Sequence, residues 1–268
     1  MLRGRWPVWL LTLAVWALAC ALRARAQVPS SHVLSEGEEL TYNVRYGPLD
    51  LGQVRIAILS SWVEGGVRVY HSRGYIDSYR GVPFVDLHAV YETVMDSTIY
   101  SRRFSGRTKA GDRWNFGRYR YDPDHSRTII EMGQQDSVVS RRDTLQVPGP
   151  CQDGLSLFFA AREHLFENRT VNFRAVVSEK VVNARIDFRD DRQSVQVDAI
   201  DYPVDVIHFE GEAEFVGLYG MTGGFEGWFS NDDARVPILA KMRVLIGSVT
   251  IELMGWKRPG WTPPKGRE

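Results

Sequence analysis

From Glu38 onward the chain alternates. Leu40, Tyr42, Val44 and Tyr46 are separated by Thr41, Asn43 and Arg45, and Val54, Ile56 and Ile58 resume the pattern after the turn at 47–52. A strand has a side-chain period of two, so this reads as a hairpin with one apolar face. The same texture returns at Val67–Tyr70, Trp114–Phe116, Val171–Ala175, Ala184–Phe188 and Ser194–Val197, and in a C-terminal pair, 238–246 and 249–253, joined at Gly247-Ser248. Short strands punctuated by Gly, Pro, Asp and Asn predict a mainly β protein built on one large antiparallel sheet. A parallel sheet would need long helical crossovers, which this chain lacks.

One segment departs from the period of two. After Pro148-Gly149-Pro150, the residues Leu155, Phe158, Phe159, Leu165 and Phe166 recur at helical spacing, with Asp153 placed as N-cap. The spacing predicts a helix over about 153–167, its Phe-rich stripe packed on the concave side of the sheet. Arg162 and His164 fall toward its C-terminal end, where positive charge suits the helix dipole. The stripe reads as core, or as the apolar lining of a ligand site formed by Leu155, Phe158, Phe159 and Phe166.

The first 26 residues differ from all that follows. Arg3 and Arg5 precede an uncharged run from Trp6 to Ala21, and Ala24-Arg25-Ala26 supplies small residues where a signal peptidase reads. Residues 1–26 are therefore expected to be a cleaved secretory signal, with 27–255 a single antiparallel β domain and export to the periplasm or cell envelope. Two alternatives are an uncleaved anchor and a lipid anchor on Cys20, which follows Ala17-Leu18-Ala19. Without the leader's four arginines, the whole-chain balance of 33 cations and 33 anions becomes mildly acidic, which argues against nucleic acid as a partner. Cys151 is then the one cysteine left, so no intramolecular disulfide can form, and it reads as a small core residue. No membrane span is expected after cleavage. The tail at 256–268, with three prolines and two tryptophans, is expected to be flexible.

The chain carries few motifs with chemistry. No two histidines fall at i, i+4, and there is no H-E-x-x-H, C-x-x-C or G-x-S-x-G. Asp86 and His88 would share a strand face, but two ligands do not make a metal site. Gly220–Gly227 lacks phosphate-loop spacing, and Asn231-Asp232-Asp233 lacks the alternating calcium pattern. No catalytic residue, metal or cofactor is assigned.

Four segments together resemble one family of exported bacterial proteins, domain of unknown function 3108. They are Gly37–Tyr46 with Gly52, Asp153–Arg162, Trp228–Pro237 and Gly247–Leu253. The resemblance spans about 38–254, and W-x-S-x-D-x-x-R-x-P is its most specific run. It implies an open, strongly curved antiparallel sheet, a half β-barrel wrapped partly round a helix, and it carries over no activity. The matched positions Tyr42, Asp153, Arg162, Trp228, Asp232, Asp233, Arg235 and Pro237 read as architecture, with Trp228 a core anchor, Arg235 paired to an acid and Pro237 at a strand edge. The leading functional expectation is a non-enzymatic binding module for a lipid, a lipoprotein acyl chain or another amphipathic envelope molecule. The alternative is a structural or assembly factor recognising an envelope protein, and third comes an envelope hydrolase.

Overall fold

Alternation carries through nearly the whole chain, and its product is one sheet. The computed structural model describes residues 32–83, 86–135, 138–214, 223–244 and 247–267; the leader, with Cys20, lies outside them. The first eight strands are β1 (Glu39–Tyr46), β2 (Leu49–Glu64), β3 (Val67–Ser78), β4 (His88–Asp96), β5 (Ser101–Ala110), β6 (Arg113–Asp122), β7 (Arg127–Gln134) and β8 (Val138–Gln146). A two-residue strand β9 (Gln152–Asp153) and helix α1 (Ser156–Glu163) follow. The second set is β10 (Thr170–Val177), β11 (Lys180–Val195), β12 (Val204–Ala213), β13 (Gly223–Ser230), β14 (Pro237–Arg243) and β15 (Ser248–Lys257).

In space the order is β8-β7-β6-β5-β4-β3-β2-β1-β15-β14-β13-β12-β11-β10-β9. Each set is a meander, and the two meet where β1 pairs with β15, Val44 opposite Ile251. Among the described strands every pairing is antiparallel except β9 with β10. Tight turns with left-handed backbone, such as Gly65-Gly66 between β2 and β3 at φ 60° and 80°, make the antiparallel steps possible. The two edges are β8 and β9, so the sheet is open, as the large curved antiparallel sheet with one helix was expected to be.

Side chains then sort by parity. On β13, Phe229 joins the cluster around α1 with Ile56, Ile58, Phe159, Phe173 and Phe188, while its neighbour Trp228 joins a second cluster with Leu40, Val204, Val236 and Leu253. Two glycines are needed for this packing. Phe209 lies opposite Gly227 and Phe225 opposite Gly211, and a Cβ on either glycine would meet the facing ring at 2.2 Å. Each ring lies across the bare backbone of the next strand.

The tail at 256–267 makes hydrogen bonds to the body of the sheet. The Trp261 indole N–H donates to Asp232 Oδ2 at 2.8 Å, the Tyr202 hydroxyl to the Pro263 carbonyl at 2.9 Å, and the Asp205 N–H to the Pro264 carbonyl at 2.9 Å. Prolines that cannot donate can still accept, and these carbonyls tie the segment to the body. Deleting residues 258–267 is expected to lower the melting temperature, by about 2–4 °C for each kcal/mol lost. An unchanged thermal transition in the truncated chain would mean that the tail contributes nothing.

Candidate functional site

The helix is held at both ends by polar groups taken out of water. Its spacing is the one the sequence showed, but it is shorter than 153–167, and Asp153 belongs to β9 rather than to the N-cap position. The Asp153 carboxylate still receives the orphan N–H groups of Leu155 and Ser156, at 2.7 and 2.8 Å, on Oδ1. Its Oδ2 accepts from Thr93 on β4 at 2.5 Å and from Ser101 on β5 at 2.6 Å. The Asp153 N–H in turn donates to Ser156 Oγ, which also shares a hydrogen bond with Ser101. Burial pushes the Asp153 carboxyl above the ordinary range, against the downward pull of Ser101, Thr93 and the two backbone donors. One side chain thus pins the helix start to the middle of the first meander.

At the other end Arg162 is fully buried, not exposed at a helix terminus. Its guanidinium donates to both oxygens of Glu38, at 2.7 and 3.0 Å, and to the carbonyls of Ala234 and Arg235, at 2.8 and 3.1 Å. Arg258 from the tail also donates to Glu38 and to the carbonyls of Val33 and His32. Arg235, expected to meet an acid, instead donates to the Arg162 and Glu163 carbonyls at the helix end, the first of which also accepts from the Leu165 N–H, and lies over the Phe166 ring at 4.9 Å. Asp232 closes the turn that presents these carbonyls by accepting from Ser230, Ala234 and Arg235; Asp233 is exposed beside it. Pro237 starts β14, an interior strand, at a register shift where no ladder donor is required. Trp228 is buried, its indole N–H donating to Gln193 at 2.9 Å. Three of the segments that carried the family resemblance are therefore one device that bolts α1 into the sheet.

Beside the bolt lies an apolar cavity of about 330 Å³ between α1 and the strands. Leu157, Phe158 and Ala161 line it from the helix, and Val54, Phe209 and Met242 from the sheet. Of the four residues proposed to line a ligand site, only Phe158 does so. Leu155 and Phe159 are core, and Phe166 is 45% exposed, because α1 ends at Glu163 and releases the last apolar residue to the surface. Leu157 and Ala161 were missed: they flank the stripe and carry no signal of their own. Tyr42 also lines the cavity, its ring meeting Phe158 edge-on at 6.4 Å, and burial pushes its hydroxyl well above the usual range.

Burial pushes the Cys151 thiol up to about 12, and Ser156 Oγ is fully buried against Asp153 and Ser101 with no imidazole among its hydrogen-bond partners. His88 spends its nitrogens on Asp77 and Asp86, and the described residues hold no group of three His, Cys, Asp or Glu with metal-site geometry. No described helix is long and apolar enough to cross a membrane.

A family model described as "Protein of unknown function (DUF3108)" matches residues 41–254. No curated protein matches the chain. Among solved structures the chain is similar to a β-barrel-like protein of the domain of unknown function DUF1849 from Brucella abortus. That match has 11% identity and a TM-score of 0.55, covering 84% of this chain and 98% of the other. A Bacteroides fragilis protein with a YmcC-like fold matches at 9% identity and a TM-score of 0.35, covering 83% of this chain and 96% of the other. The first shows a shared barrel-like fold.

Proposed function

The chain belongs to the DUF3108 family, and from that premise we propose that it is an exported, non-enzymatic binding module that holds the apolar part of a lipid or lipoprotein in the cavity beside α1. The observation that carries this reading is the cavity itself. At about 330 Å³ it falls within the range of small-molecule sites, roughly 300–1,000 Å³, and its walls are aliphatic and aromatic. The helix is locked at both ends by buried polar groups, which holds the space open instead of letting the helix collapse onto the strands. A larger groove of about 560 Å³ lies elsewhere on the sheet, but the four arginines and two glutamates on its lining do not suit an acyl chain. Export through the 1–26 leader to the periplasm or envelope, or anchoring through Cys20, belongs to the same reading and is supported by the leader sequence.

Native mass spectrometry with lipid extraction, on protein purified from its own envelope, tests the proposal. A stoichiometric apolar adduct is expected, and an apo mass would overturn it. Ala240, on the cavity wall, supplies a second arm: Ala240→Trp is expected to abolish the adduct while the chain stays folded. An adduct retained by that variant would put the lipid elsewhere.

A second reading, recognition of a protein partner, is favoured by one feature. Among the described strands β8 pairs only with β7, and Val138 and Val139 on it are 60% and 43% exposed. Such an edge can accept an added strand.

A further inference from the structure

The outer face of the first meander carries a charge pattern that the cavity does not explain. Thr93 points inward to Asp153, so Glu92 and Val94 on either side of it point outward. The register then defines two outward rows. One runs Glu92, Ser105, Arg118, Glu131, Arg142, and its charges alternate and balance. The other runs Val94, Arg103, Arg120, Ile129, Thr144, and it holds two arginines and no carboxylate. Together the rows line the groove of about 560 Å³.

Arg103 and Arg120 are directly opposite each other on β5 and β6. Like charges in that position are destabilising. Arg103 is compensated from outside the row, by a two-pronged pair with Glu64 at 2.8 and 2.7 Å. Arg142 is likewise paired with Glu131. Arg120 is exposed and has no ion pair or hydrogen bond with any described side chain, in a chain whose total charges are otherwise balanced. Ser105 and Thr144 add hydroxyl donors within the same groove.

We propose that this groove is a binding site for a phosphate-type oxyanion, with Arg120 as its principal ligand and Arg118 and Arg142 beside it. Guanidinium groups match phosphate geometry two-pronged, and an anion here would relieve the Arg103–Arg120 opposition. The oxyanion comes from a soluble phosphate or from the headgroup of an anionic lipid. The site lies on the opposite face of the sheet from α1, so it stands or falls independently of the apolar cavity.

Two probes test it with the purified chain: inorganic phosphate, followed by NMR chemical shifts, and vesicles of phosphatidylcholine with or without phosphatidylglycerol, followed by co-sedimentation. Arg120→Gln is compared with Lys180→Gln, which removes the same charge from an exposed position on β11 outside the groove. Binding weakened about fivefold by Arg120→Gln and unaffected by Lys180→Gln supports the proposal. If inorganic phosphate shows that pattern and vesicles do not bind, the source is soluble; if phosphatidylglycerol vesicles show it and free phosphate does not compete, the source is a headgroup. Binding of neither probe, or equal loss in both variants, overturns the site. The melting temperature of Arg120→Gln is expected to equal or exceed that of the parent, which separates a lost ligand from a lost fold.

Discussion

Replacing Glu38 by alanine is expected to lower the unfolding free energy by about 3–5 kcal/mol. The carboxylate is 2% exposed and receives both Arg162 and Arg258. Its removal leaves a wholly buried guanidinium without its carboxylate. The carbonyls of Ala234 and Arg235 would still accept from Arg162, but a dipole does not neutralise a charge in a low-dielectric interior. A double-mutant cycle in denaturant separates pairing from packing. Glu38→Met with Arg162→Met is expected to be less damaging than Glu38→Ala alone, since it removes the wholly buried guanidinium and leaves only Arg258, on the docked tail, without its carboxylate. A Glu38→Ala variant within 1 kcal/mol of the parent would show that water reaches Arg162, and the bolt would lose its meaning.

Adjacent phenylalanines are expected to behave differently. Phe159 is fully buried in the main cluster, so Phe159→Ala is expected to cost about 3–5 kcal/mol, the transfer of the ring plus the void left behind. Phe158 is partly buried, stands edge-on to Phe159 at 5.2 Å and faces the cavity. Phe158→Ala enlarges an existing space and is expected to cost clearly less, while reducing retention of the apolar adduct. Chemical denaturation of the two variants, with lipid extraction of each, gives both readouts. Equal destabilisation with unchanged adduct would make Phe158 simple core with no part in holding the ligand.

Arg162 shows how much of the site was legible beforehand. It lies three residues after Phe159 and seven after Leu155, on the buried face of the helix by spacing alone. An arginine on an apolar stripe demands a partner, a stronger signal than its favourable place in the helix dipole. Its partner Glu38 is 124 residues away, and no local pattern points to it. Asp153 is a similar case: a cap was foreseeable from its place before the helix, but Thr93 and Ser101 were not.

The alternation of apolar and polar positions by itself determined that the chain makes antiparallel strands, where most of them fall and that one helix interrupts them, because these depend on which face each residue presents to a neighbour within a few positions. The family resemblance was legible for the same reason, in short runs of residues. Only the tertiary structure decided that β1 closes on β15, that the tail docks, that Phe166 leaves the core, that an apolar cavity stands beside α1 and that Arg103 meets Arg120 across two strands. Apart from Phe166, which the end of α1 releases, each depends on residues distant in sequence or on register, and a one-residue change of register moves every side chain of a strand to the other face.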